Sequence, residues 1–84
     1  MIYAITINRS AQRQLAKIDA QMRIRISQAI YAFAENPRPS DCKKLVGHNA
    51  WRIRIGSYRV IYEIQDNILV VTVIRVVHRR EVYR

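Results

Sequence analysis

The chain has 84 residues, with fifteen Lys and Arg against six Asp and Glu, a net charge of +9. One domain spanning 1–84 with a single modest core is what this length allows; half apolar residues with two Gly and two Pro exclude a low-complexity or disordered chain. The single cysteine, Cys42, excludes an internal disulfide and a Cys-based zinc cage and fits a reducing, cytoplasmic compartment. Met1 to Thr6 has no basic leader followed by a long apolar run. Ile68 to Ile74 is interrupted by Thr72 and closed by Arg75, too short for a membrane span. The positive excess predicts polyanionic partners, nucleic acid before an acidic protein and a membrane surface last.

Ile2 to Ile7 is short and rich in β-branched residues, which predicts a strand. Asn8 can cap a helix by accepting a backbone N–H through its side chain, and Ala11, Leu15 and Ile18 then share one helical face. Asp19 predicts a second cap. Met22, Ile26, Ala29, Ile30 and Phe33 follow at helical spacing, so the two segments form an α-hairpin hinged near Asp19. Asn36-Pro37-Arg38-Pro39-Ser40 ends the second helix, because each proline confines the residue before it to extended backbone.

The period then changes. Cys42 to Val46 predicts a short strand, and Trp51 to Ile55 alternates at period two. Gly56-Ser57 is a two-residue hairpin turn, and Tyr58 to Ile64 returns. Gln65-Asp66-Asn67 turns the chain again. Ile68 to Val77 is apolar on both faces, which predicts a central strand, and a polar tail runs from His78. The order β-αα-ββββ makes an α+β domain, a two-helix hairpin packed on a mainly antiparallel sheet of four to five strands.

The hairpin carries the functional signal. Residues 1–42 hold six basic and three acidic side chains, and residues 43–84 hold nine and three. A two-residue turn at Gly56-Ser57 sets Ile55 opposite Tyr58, Arg54 opposite Arg59 and Ile53 opposite Val60. Trp51, Ile53, Ile55, Tyr58, Val60 and Tyr62 then share a core face, while Arg52, Arg54 and Arg59 share the other. Like charges directly opposite cost on the order of 0.2–1 kcal/mol. A solvated, screened face would tolerate this. Three arginines without a lysine fit a bidentate anion clamp better. The tail adds His78, Arg79, Arg80 and Tyr83 within reach of that face, a phosphate site with a ring to stack on a base. Histidine is the side-chain type here that titrates near neutrality, which makes His78 a candidate acid or base beside its plainer reading as a surface residue. His48 reads as a loop residue and Trp51 as core. Glu63 and Asp66 flank a turn and Glu81 lies in the tail, so no carboxylate cluster is expected to hold magnesium. No Gly-rich phosphate loop occurs either, and neither a metal nor a cofactor is expected.

The run from Trp51 to Ile64 resembles the core of the RelE family of toxins from prokaryotic type II toxin–antitoxin systems. Asn36-Pro37-Arg38-Pro39 with Lys44-Leu45 and Gly47, and the ending from Val76 to Tyr83, resemble it too. The resemblance spans nearly the whole chain. It implies a RelE/ParE-like fold and a ribosome-dependent mRNA endonuclease, held inactive by a cognate RelB-like antitoxin. In that family the 2′-hydroxyl attacks the adjacent phosphate in the ribosomal A site without a metal. Partners would be the ribosome, mRNA and, through the antitoxin complex, operator DNA, with no membrane. Residue by residue, Arg52 and Arg54 match two basic positions, lysines in the best-known member, that stabilise the transition state. Arg59 matches a phosphate-binding arginine, and Arg79 a leaving-group acid or charge stabiliser. Tyr83 matches the tail tyrosine that stacks on the message. Lys43, Lys44 and Arg80 would add phosphate contacts. Arginine cannot be tuned to accept a proton, so the base is open among His78, Tyr83 and the ribosome's own RNA. The alternatives are a ParE-like inhibitor of DNA gyrase and a catalytically weak relative that only binds antitoxin or operator.

Overall fold

The computed structural model describes residues 2–46 and 49–82. Strand β1 (Ala4–Ile7) enters helix α1 (Arg9–Ala16) through Asn8, whose Oδ1 accepts the Ala11 N–H at 2.9 Å. Asp19 caps helix α2 (Ala20–Ala32) in the same way, its Oδ2 accepting the Met22 N–H at 3.2 Å. Both caps satisfy amide groups that the first helical turn leaves without a partner. Strands β2 (Lys43–Lys44), β3 (Trp51–Ile55), β4 (Tyr58–Gln65) and β5 (Val70–His78) follow, then one helical turn, α3 (Arg79–Val82).

The strands form one sheet in the order β1-β5-β4-β3-β2. Neighbours are antiparallel except β1 and β5, which run parallel. Strand β5 therefore lies between β1 and β4, as its two apolar faces predict. The helices cover one face. Ala11, Leu15, Ile26, Ile30 and Phe33 pack there on the inward residues of β3, β4 and β5. Tyr62 is the largest wholly buried side chain. It stacks on Phe33 with ring centroids 4.1 Å apart and donates its hydroxyl to the Pro37 carbonyl at 2.8 Å. Burial pushes that hydroxyl above the ordinary tyrosine range.

Several boundaries differ from the sequence reading. Helix α2 stops at Ala32, ahead of the prolines, and turns that run through Glu35 bring the Ala34 carbonyl to the Tyr3 N–H at 2.8 Å. The strand expected over Cys42 to Val46 shrinks to two residues. Strand β5 begins at Val70, because Leu69 takes a left-handed conformation at φ 56° and extends the preceding turn. His48 lies outside the described residues. The loop after α2 is tied down by charge. Arg38 donates to both oxygens of Asp66, at 3.2 and 2.8 Å, Tyr3 donates to Oδ1 at 2.6 Å, and the guanidinium lies 5.2 Å from the Trp51 ring. These two donors, Arg38 foremost, hold the Asp66 carboxyl down to about 2. No helix among the described residues is long and apolar enough to cross a membrane.

Candidate functional site

The site is built by the tight turn between β3 and β4. Gly56 has φ +59° and is the only one of the turn's two central residues in the left-handed region, the arrangement of a type II′ hairpin. That turn fixes the register: Ile55 opposite Tyr58, Arg54 opposite Arg59, Ile53 opposite Val60. Ile53, Ile55, Val60 and Tyr62 are buried on the helix-covered face, with Trp51 and Tyr58 half-buried against them. The arginines stand on the open face. Arg54 is exposed; Arg59 is half-buried, with its Nε out of reach of solvent.

The tail closes the site. Tyr58 pairs with His78 across β4 and β5, and the Arg79 N–H donates to the Ser57 carbonyl at 2.7 Å. This bond folds the start of α3 back over the hairpin turn. Arg54, Gly56, Tyr58, Arg59 and Arg79 thereby line a pocket of about 110 Å3. None of the five is acidic. Three of them are arginines, an arrangement that offers positive charge and planar sets of donors suited to a small anion with several acceptor oxygens.

A second row of charge lies beside the pocket. Lys43 pairs with Arg52, Arg52 with Ile61 and Ile61 with Arg75, so three basic side chains share one line across the open face. Arg75 is exposed and is a candidate contact that period-two reading misses. The cause is a bulge. Ile61 pairs with Arg75 but Tyr62 pairs with Val73, which leaves Ile74 as an extra residue in β5. Counting by twos from the buried Val71 and Val73 assigns Arg75 to the core and His78 to the arginine face. The extra residue reverses both.

His78 accordingly does not line the arginine pocket. It lies edge-on to Tyr58, ring centroids 5.2 Å apart, toward the helices. Its Nδ1 accepts the Arg80 N–H at 3.2 Å, which selects the neutral tautomer protonated at Nε2. In that tautomer the remaining ring nitrogen is a donor. Arg80 lines a neighbouring hollow with Ser57, His78 and Arg79. Lys44 pairs with Trp51 and so points away from Lys43. Tyr83 lies outside the described residues. Among the described residues no three His, Cys, Asp or Glu side chains gather as metal ligands would.

The sequence matches the family model for the ParE toxin of the type II toxin–antitoxin system parDE over residues 5–83. The chain belongs to the RelE/ParE superfamily of toxins. Several of its relatives carry RelE names. The toxin is 27% identical over 84 residues to toxin RelE3 of Methanocaldococcus jannaschii, covering 99% of this chain and 93% of that one. It superposes on RelE in the RelE–RelB complex of Pyrococcus horikoshii with a TM-score of 0.85 at 25% identity, covering 94% and 97% of the two chains. Against the isolated RelE toxin of E. coli the TM-score is 0.79 at 28% identity, covering 96% and 90%. The two helices and five-stranded sheet of this toxin are thus those of the RelE-like proteins.

Proposed function

We propose that this toxin is a ribosome-dependent mRNA endonuclease acting in the cytoplasm, and that a cognate RelB-like antitoxin neutralises it. The observation that carries the reading is the convergence of Arg54, Arg59 and Arg79 on one pocket. A message phosphate bound there gains charge as the 2′-hydroxyl attacks, and fixed cations aimed at that charge lower the barrier. The 2′-oxygen bonds to phosphorus while the bond to the 5′-oxygen breaks. The products are a 2′,3′-cyclic phosphate and a 5′-hydroxyl. Arg59, with Nε buried, grips the phosphate. Arg54, with Arg52 one row away, offsets the developing charge, and Arg79 stabilises the leaving oxygen. The attacking hydroxyl's proton needs an acceptor outside this trio, because an arginine does not give up its own proton to become a base. His78 lies off this pocket, with its Nδ1 already accepting the Arg80 N–H. The acceptor is therefore Tyr83 or the ribosome's RNA.

The antitoxin reading is supported by the RelE–RelB complex of P. horikoshii, whose RelE shares this fold. Operator DNA would be bound through the antitoxin complex. The ParE name of the matched family supports the other reading, a gyrase inhibitor that cuts no RNA. Cleavage of mRNA on programmed ribosomes by the wild-type toxin and by Arg59→Ala, with naked mRNA alongside, separates them. Cleavage in the A site that Arg59→Ala loses is the expected result. Absence of cleavage with inhibition of gyrase supercoiling would replace the nuclease by the ParE-like reading.

A further inference from the structure

Helix α3 is a single turn, and a first helical turn leaves its amide groups without partners inside the helix. Two of them are satisfied from outside it. The Arg79 N–H donates to the Ser57 carbonyl at 2.7 Å, and the Arg80 N–H donates to Nδ1 of His78 at 3.2 Å. His78 is the residue before the helix and Arg80 is its second residue. This is the arrangement of an N-cap, with an imidazole nitrogen in the place usually taken by a side-chain oxygen of Ser, Thr, Asp or Asn.

The cap encloses a residue of the site. Arg79, which lines the arginine pocket, lies between the two partners of the capping bond. That bond and the Ser57 contact together fix the direction in which the chain leaves β5. The His78 ring is itself held edge-on against Tyr58, with ring centroids 5.2 Å apart.

An imidazole cap differs from an oxygen cap in one respect. Its acceptor exists only in the neutral ring, because in the charged ring both nitrogens are donors. The charged and titratable side chains around it are Lys17 from α1, Tyr58 from β4, and Arg79 and Arg80 from α3. Lysine, tyrosine and arginine ordinarily keep one charge state between about pH 6 and 8, whereas histidine changes its own there. We infer that His78 is a positioning residue: its neutral imidazole caps α3 and so holds Arg79 at the pocket, and protonation of the ring releases the cap. The effect on cleavage rests on the nuclease reading; the cap itself does not.

The test compares wild type, His78→Ala and His78→Asn from about pH 8 to 6. Asparagine places Oδ1 where histidine has Nδ1, and it accepts throughout that range. The first measurement is the hydrogen-exchange protection factor of the Arg80 amide in the isolated toxin. His78→Ala should lose protection at every pH, wild type only toward pH 6, and His78→Asn at neither end. The second is cleavage on programmed ribosomes. His78→Ala should lower kcat about fivefold, the scale of one lost cap, with KM little changed, and His78→Asn should restore it. The kcat ratio of wild type to His78→Asn should fall toward pH 6; the pH responses of ribosome and message divide out of that ratio. An Arg80 amide no better protected in wild type than in His78→Ala would overturn the cap. Asparagine as slow as alanine would overturn it too, since the ring would then act by packing or proton transfer. A ratio constant with pH would overturn release by protonation. No cleavage by the wild type, with Arg80 protected as expected, would overturn the nuclease reading and leave the cap standing.

Discussion

Arg54 and Arg59 face each other directly across β3 and β4, on the open side of the sheet, beside a pocket that Arg79 completes. The pairing opposes stability, so it is a place where activity and stability should move in opposite directions. Arg54→Thr removes the repulsion and keeps a strand-favouring residue. Its unfolding free energy in urea should rise by about 0.2–1 kcal/mol. Cleavage on programmed ribosomes should fall about 10²–10³-fold, the scale of losing one charge-stabilising donor. A variant that is both less stable and fully active would refute the clamp.

On the nuclease reading, the row Lys43, Arg52 and Arg75 on the open face should hold RNA beyond the cleaved phosphate. Each phosphate neutralised on a single strand contributes about −0.7 to the slope of log K against log salt. Arg75→Ala and Lys43→Ala should each flatten the slope for a single-stranded RNA by about that amount. Titrations at several salt concentrations measure it. Lys44→Ala should leave the slope unchanged if the contact follows the face, since Lys44 points the other way.

The same bulge explains how far the sequence could be read. The hairpin register followed from Gly56-Ser57 alone, and it brought Arg54 beside Arg59. The caps at Asn8 and Asp19 and the stripe through Ile26, Ile30 and Phe33 rested on local rules that packing did not override. Arg75 was legible only as the charge that closes an apolar run, and His78 only as a tail histidine within reach of the arginine face. A two-residue repeat carries no mark of the extra Ile74 that exchanges their faces. Leu69 was hidden for a related reason: a left-handed leucine lacks the glycine signature of a turn. The joining of Arg38 to Asp66 spans distant segments and has no local pattern at all.

That joining sets an acid limit on stability. The Asp66 carboxyl has an ordinary value of 3.8, and Arg38 with Tyr3 holds it at about 2 in the folded chain. A depressed carboxyl contributes stability in full above the unfolded value and loses it as pH falls through the folded one. Wild type should therefore exceed Asp66→Asn in urea midpoint from pH 7 down to about 4. The two should converge as the pH approaches 2. Added salt should narrow the gap at neutral pH, because Arg38 and Asp66 are both exposed. A gap unchanged at pH 2 would mean that the carboxylate charge has no part in the tie.

Gly56 links the helical layer to the site. A Cβ there would lie 2.7 Å from Met22 Cε and 3.3 Å from Met22 Sδ, and the backbone is left-handed at φ +59°. Gly56→Ala therefore meets two separate penalties. The left-handed conformation costs a non-glycine residue about 1–2 kcal/mol, whatever the space available. The contact adds to this until the flexible end of Met22 moves aside. A double-mutant cycle with Met22→Ala divides the two, since shortening Met22 relieves the contact and leaves the backbone penalty. The expected coupling is favourable, with the double variant still less stable than Met22→Ala alone. Cleavage should fall in Gly56→Ala and stay low in the double variant, because the turn that strains also carries the Ser57 carbonyl holding the Arg79 N–H. Recovery of activity on shortening Met22 would mean that the contact, and not the conformation of the turn, governs the position of Arg79.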